Sequence, residues 1–167
     1  SKTELLRNLV FEKNVPIVMV DADCMFVKDF YHLLDNDYDI QVCYRGNHEV
    51  PYIGSFVSVN NTNGGQLILD KWIERMKTIE GVPKESPALS EICIENSKFV
   101  PPNRVLPYIR IGKLDEKTIC AYCDSNEMVE WDSKIVHFKS RKRSNTFKDD
   151  FIDRTITRGF KNYIKGY

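Results

Sequence analysis

The 167-residue chain has no long apolar run and no excess of charge of either sign. Its apolar stretches fall well short of the roughly 20 residues that a helix needs to cross a bilayer, so we expect no transmembrane segment. The first residues also lack the apolar core of a secretory signal. The 24 basic and 24 acidic residues balance to a formal net charge of zero, which argues against a nucleic-acid partner. What remains is a globular domain large enough for one sizeable core.

Cysteine is also scarce, with five residues in the chain. An odd number argues against a full disulfide framework and favours a reducing compartment, so we expect a cytoplasmic protein. Cys24, Cys43 and Cys93 lie in apolar segments and are expected to be small buried side chains. Cys120 and Cys123 form a single C-x-x-C, but no second pair completes a zinc site, so the sequence gives little support for chemistry there.

The most informative stretch is the apolar run at residues 16–20, which leads directly into Asp21 and Asp23. A short run with β-branched residues is typical of a buried strand with neighbours on both faces. Because residues i and i+2 of a strand share a face, both carboxylates can point at one ligand. Two oxygen donors at the end of a strand suit Mg²⁺ or Mn²⁺ bound together with phosphate. The simpler alternative is that these residues only end the strand and cap the next helix.

Hydrophobic periodicity predicts helices and strands along the rest of the chain. Alternating apolar residues indicate strands over residues 38–44 and 52–60. Helical spacing follows Thr3 and Ser86, so we expect these two residues to be N-caps. Residues 112–132 show little periodicity, and we expect them to form surface loops.

Residues 17–30 resemble the D-x-D segment of GT-A-type glycosyltransferases, in particular the nucleotide-diphospho-sugar transferase family. Asp21, Ala22 and Asp23 fill the motif, and Lys28-Asp29 matches the basic-acidic pair that follows it, with phenylalanine where the family usually has proline. In that family the aspartates hold a divalent cation on the diphosphate of the donor. The resemblance therefore implies Mn²⁺ or Mg²⁺ as the cofactor, a nucleotide-sugar donor as the partner, and Ala22 as a substrate contact.

The resemblance also implies roles for residues further along the chain. His137 lies on a late strand and would complete the metal site, while Lys139 and Arg141 would meet the diphosphate. Glu85 stands where the family has an acidic residue that contacts or deprotonates the acceptor hydroxyl. Gly54 is the matching residue of an N-T-G block, where a glycine lets substrate approach the backbone.

Each of these roles has a structural alternative. Gly54 fits a bulge in a strand equally well. Glu85 fits the first turn of a helix, where the dipole favours a carboxylate. His137 could be a strand histidine held by hydrogen bonds, next to a solvated basic run.

The fold implied by the resemblance is α/β: a GT-A-like three-layer sandwich with a mostly parallel central sheet. We expect a single domain over residues 1–167, in which residues 146–167 form a terminal amphipathic helix. Only one helix precedes the D-x-D strand, so the N-terminal part of that fold is missing from this sequence. Three explanations stay open: the sequence is a fragment, a partner supplies the other half, or the protein no longer turns over substrate. A location in the Golgi lumen also stays open, if an upstream anchor was removed.

The function implied by the resemblance is metal-dependent transfer of a sugar from a nucleotide-diphosphate donor to an acceptor hydroxyl. The acceptor, whether glycan, protein or lipid, is not specified. Haloacid dehalogenase-type phosphatases also place D-x-D after a strand, with an aspartate as nucleophile. A transferase remnant that only binds carbohydrate or a protein is a further alternative.

Overall fold

The computed structural model describes residues 1–26, 28–81, 83–98, 108–119, 121–123 and 134–138. Three expectations lie outside these residues: the roles of Lys139 and Arg141, the terminal helix at residues 146–167, and the contribution of Cys120 to the C-x-x-C pair.

The described helices are α1 (Lys2–Glu12), α2 (Asn63–Thr78), α3 (Glu85–Lys98) and the short α4 (Glu116–Ile119), with a 3₁₀ turn at Tyr31–Leu33. The described strands are β1 (Ile17–Val20), β2 (Cys24–Phe26), β3 (Ile40–Tyr44), β4 (Tyr52–Val59), β5 (Ile111–Asp115), β6 (Ala121–Cys123) and β7 (Ile135–Phe138). The prediction of loops over residues 112–132 is therefore wrong where β5, α4 and β6 lie. These elements are short, and their apolar residues are too few to show a period.

Two helix starts differ from the predictions. The cap of α1 is Ser1, whose hydroxyl accepts from the Glu4 amide at 3.3 Å, whereas Thr3 is buried in the helix. Helix α3 already begins at Glu85, so Ser86 lies inside its first turn instead of capping it. The Ser86 hydroxyl accepts from the Gly54 amide of β4 at 3.0 Å, and this tertiary hydrogen bond replaces the expected local one.

The strands form a four-stranded sheet in the order β1-β4-β3-β5 and a three-stranded sheet in the order β2-β7-β6. The α/β class is confirmed. The described pairings are mixed, with three antiparallel and two parallel, where the resemblance implied a mostly parallel sheet. Within the described strands β1 pairs only with β4, and all four of its residues are half-buried, so the expected burial on both faces is wrong.

The four-stranded sheet separates two apolar cores. On one face, side chains of α1, α2 and α3 pack against Val42, Val57 and their neighbours, with the fully buried Trp72 among them. On the other face, Phe56 and Ile53 pack against Ile135 of β7, so the small sheet forms a third layer. Within the described residues, no helix is both long and apolar enough to cross a bilayer.

Candidate metal and donor site

The D-x-D motif forms the turn by which the chain passes from the large sheet to the small one. The amide of Asp21 donates to the Ser55 carbonyl at 3.0 Å, which extends the pairing of β1 with β4 by one residue. The amide of Cys24 donates to the Asp21 carbonyl at 3.1 Å and closes a tight turn. Ala22 is exposed in this turn, between the two half-buried aspartates. The motif is therefore held by backbone hydrogen bonds on both sides.

Strand β7 brings His137 to this turn, because His137 lies directly opposite Cys24 in the antiparallel pair of β2 and β7. The imidazole is 2% exposed. Its Nε2 lies 3.0 Å from Asp23 Oδ1 and 3.8 Å from Asp21 Oδ2. The structure thus brings the three proposed metal ligands together.

Cys24 belongs to the same cluster, although the sequence analysis expected only a small buried side chain. Donor atoms of Asp23, Cys24 and His137 all lie within 4.8 Å of one another. A thiol directly after the motif was a usable signal. Its position opposite His137, however, depends on a strand pairing that the sequence alone does not reveal.

Lys2 is a second residue that the sequence analysis did not find. Its ammonium donates to Asp21 Oδ1 at 2.5 Å, and its side chain is 37% exposed. Helix α1 therefore brings a positive charge to the D-x-D motif from its first turn. No local pattern marks this lysine, because the contact depends on how α1 packs against the sheet.

Gly54 lies buried in β4, near the place where the pairing with β3 shifts register. A Cβ at this position would lie 3.3 Å from Trp72 Cζ2, so glycine lets the indole pack against the strand. The Trp72 indole nitrogen donates to the Glu85 carbonyl at 2.8 Å. Packing therefore accounts for a glycine here without a substrate.

Glu85 is the first residue of α3 and is half-buried. The next residue, Ser86, is bonded to the Gly54 amide, and the carbonyl of Ser55 accepts from Asp21. The start of α3 and the D-x-D turn are thus hydrogen-bonded to neighbouring residues of β4. Lys139 and Arg141 lie outside the described residues.

A cavity of about 630 Å³ lies beside β1, on the face opposite to the helices. It is lined by Val18, Val20, Phe26, Lys28, Asp29, Phe30 and Tyr31. The Phe30 ring stacks on both Phe26 and Tyr31, with centroids 5.5 and 5.0 Å apart. Val20, which lines this aromatic cavity, immediately precedes Asp21 in the chain.

The donor set fits a divalent cation. Carboxylate oxygens suit Mg²⁺ and Mn²⁺, and an imidazole nitrogen is a common third ligand for transition metals. The three groups converge although they come from a turn and from a strand more than a hundred residues later. The imidazole is buried, which excludes much of the competing water from its side of the cluster.

The comparisons with known proteins agree with this architecture. No curated protein matches the chain at a significant level. A model of the nucleotide-diphospho-sugar transferase family matches residues 1–151, which include the D-x-D turn, the start of α3 and the histidine strand. Since the match extends over most of the sequence, the chain belongs to the nucleotide-diphospho-sugar transferase family.

Proposed function

We propose that this protein is a metal-dependent glycosyltransferase that moves a sugar from a nucleotide-diphosphate donor to an acceptor hydroxyl. The observation that carries the proposal is the convergence of Asp21, Asp23 and His137 in a family that acts on nucleotide-diphospho-sugars. These three residues would hold Mn²⁺ or Mg²⁺. When bound, the cation supplies Lewis-acid stabilisation of the departing diphosphate.

The residues around the motif have roles that follow from their positions. Ala22 is exposed between the aspartates, so a bound donor can approach the backbone there. Lys2 lies against Asp21 and offsets part of the negative charge of the motif. We assign Lys139 and Arg141 to the diphosphate, where their charge would offset the charge that develops on the leaving group.

Glu85 is our candidate for the residue that contacts or deprotonates the acceptor hydroxyl. It lies in the first turn of α3, which is bonded through Ser86 to the strand beside Asp21. A carboxylate in this position could orient a hydroxyl toward the donor sugar and accept its proton.

The family match favours sugar transfer over the phosphatase alternative. A phosphatase of that type needs an aspartate that attacks phosphorus and becomes phosphorylated. The stable phosphate mimic beryllofluoride would bind such a nucleophile, and we expect no binding to Asp21 or Asp23. A remnant that only binds would retain donor affinity without turnover.

Calorimetry with a nucleoside diphosphate tests the proposal. We expect binding in Mn²⁺ and loss of binding in a chelator. Asp23→Asn should abolish the metal-dependent binding of nucleoside diphosphate. The control Asp70→Asn, which removes the charge of an α2 carboxylate paired with Arg7, should leave this binding unchanged. A panel of nucleotide-diphosphate sugars then identifies the donor from metal-dependent release of nucleoside diphosphate. A folded protein that binds no nucleoside diphosphate or donor in Mn²⁺ would refute the assignment.

A further inference from the structure

We propose that Cys24 is a ligand of the metal cluster and that its sulfur gives the site a preference for thiophilic cations such as Zn²⁺ and Co²⁺ over Mg²⁺. The proposal rests on the proposed function in one respect, since it takes the D-x-D turn as the metal site. It goes beyond that function by naming a fourth ligand and the class of cation that this ligand selects.

The register of the small sheet places Cys24 beside His137. Cys24 and His137 are directly opposite each other in the antiparallel pair of β2 and β7. Side chains of such a pair leave the same face of the sheet, with Cβ atoms about 4.5–5.5 Å apart. The sulfur and the imidazole are therefore directed to one side, where the turn places Asp23.

The distances between the donor atoms also support a shared ion. The donor atoms of Asp23, Cys24 and His137 lie within 4.8 Å of one another, and Asp21 Oδ2 lies 3.8 Å from His137 Nε2. In a tetrahedral zinc site with bonds of about 2.0–2.3 Å, neighbouring donor atoms are roughly 3–4 Å apart. The spacing of Asp23, Cys24 and His137 is thus close to that of such a site, and Asp21 lies near this group through its 3.8 Å approach to the imidazole.

The chemistry of the donor atoms favours a thiophilic cation. Two carboxylates, one imidazole and one thiol make up a mixed oxygen, nitrogen and sulfur set. Mg²⁺ binds sulfur poorly, whereas Zn²⁺ and Co²⁺ accept all three donor types. Sulfur binds as the thiolate, so the thiol proton passes to solvent when the metal binds.

Two further cysteines, Cys43 and Cys93, differ from Cys24 in position. Cys43 and Cys93 are fully buried within the two apolar cores. Burial raises the pKa of the Cys93 thiol to about 12, so this thiol stays protonated at neutral pH. Cys93 therefore provides a matched control. It is a thiol of the same chain, but it lies in α3, on the helical face of the large sheet, and it is not expected to bind metal.

The experiment uses Co²⁺ as a spectroscopic probe in the full chain. Cys120 and Cys123 are first replaced by serine, so that the C-x-x-C pair adds no sulfur signal. We expect the remaining protein to show a sulfur-to-cobalt charge-transfer band in the near ultraviolet. Cys24→Ser should remove this band and weaken Co²⁺ and Zn²⁺ binding at least about tenfold, while changing Mn²⁺ binding less than about threefold. Cys93→Ala should keep the band.

Several outcomes would overturn the proposal. These are a protein that binds Co²⁺ without the band, a band that survives Cys24→Ser, or a Mg²⁺ affinity equal to that for Zn²⁺. If Cys24→Ser fails to fold, the test uses the zinc-loaded protein that keeps Cys24 and carries Cys120→Ser and Cys123→Ser. X-ray absorption of this protein should show a sulfur ligand about 2.3 Å from zinc, and its absence would overturn the proposal. Failure of the proposed function is a separate result, since the cobalt spectrum requires neither donor nor turnover.

Discussion

Two aspartate sites lie at different levels of the four-stranded sheet and differ in what surrounds their carboxylates. Asp39 immediately precedes β3 and lies level with Asn60 at the end of β4, whereas Asp21 immediately follows β1 and lies level with Ser55 in the middle of β4. The side chain of Asp39 is 4% exposed, and that of Asp21 is 25% exposed. Both are charged groups close to the core, so the difference in their partners indicates which of them is structural.

The Asp39 carboxylate is held by fixed donors. The Arg110 backbone amide donates to Oδ2 at 2.7 Å, the Arg110 side chain donates at 3.1 and 3.4 Å, and the Thr62 hydroxyl donates to Oδ1 at 2.5 Å. Burial alone would raise the pKa of Asp39, but the hydrogen bonds from Arg110 and Thr62 outweigh it and lower the pKa. This carboxylate joins β3, β5 and the start of α2.

The D-x-D carboxylates are arranged differently. Their oxygens lie 3.8 and 3.0 Å from Nε2 of the same buried imidazole, and the cation against Asp21 is a partly exposed lysine. Acidic groups gathered around an imidazole gain little from each other and gain most from a cation placed among them. The comparison identifies Asp39 as a residue that stabilises the fold, and it supports the proposal that Asp21 and Asp23 bind a cation.

The largest expected effect follows from Asp23→Asn. Changing a residue that supports a metal ligand typically costs 10–100-fold in metal affinity, so we expect loss of a direct ligand to cost more than about 100-fold. The free energy of unfolding without metal should change by less than about 1 kcal/mol. Metal titration and urea denaturation of the same sample measure both quantities. A large loss of unfolding free energy at unchanged metal affinity would show that Asp23, like Asp39, stabilises the fold and does not bind metal.

Asp39→Asn should give the opposite result. Loss of hydrogen bonds to a charged group is expected to lower the free energy of unfolding by about 2–3 kcal/mol at pH 7, while metal affinity stays the same. Because the pKa of Asp39 is lowered in the folded state, its contribution is present above the unfolded pKa of about 3.9 and is lost as pH falls through the folded pKa. The difference between the two proteins in urea denaturation should therefore shrink below about pH 4. A difference that is constant from pH 7 to pH 3 would contradict this account.

A smaller effect is expected from Gly54→Ala, which tests whether this glycine serves packing or substrate contact. The added methyl group would lie 3.3 Å from Trp72 Cζ2, and we expect a loss of roughly 1–3 kcal/mol in unfolding free energy from overpacking. Packing alone predicts unchanged KM for donor and acceptor in the folded variant. A selective rise in KM at unchanged kcat would show that substrate approaches the strand here.

The smallest effect is expected from Lys2→Met. Its ammonium occupies Asp21 Oδ1, so its removal should strengthen metal binding several-fold by ending the competition for that oxygen. Partly exposed ion pairs contribute little to stability, so the unfolding free energy should change by less than about 1 kcal/mol. Weaker metal binding in this variant would show that Lys2 orients Asp21 instead of competing for it.

The sequence could predict features that follow from a local pattern or from a family motif. Asp21 and Asp23 stand out because an apolar strand ends in two acidic residues, and the family resemblance adds His137 to them. The strands β3 and β4 were predicted within two residues of their ends because their apolar residues alternate.

What sequence reasoning missed depends on tertiary contacts. Cys24 belongs with His137 only through the pairing of β2 and β7, and Lys2 reaches Asp21 only through the packing of α1. The Ser86 hydroxyl is bonded to a strand instead of to its own helix. No local pattern contains these contacts, because each joins residues that are far apart in the chain.

The pairing of β2 with β7 has a consequence for the order of folding. Its two strands are more than a hundred residues apart, so the donor atoms meet only after a long loop has closed. Closing such a loop costs chain entropy, and the unfolded chain therefore holds no preformed site. A bound ion would act as a cross-link between the two ends of that loop. The thermal midpoint should then rise with the concentration of free metal.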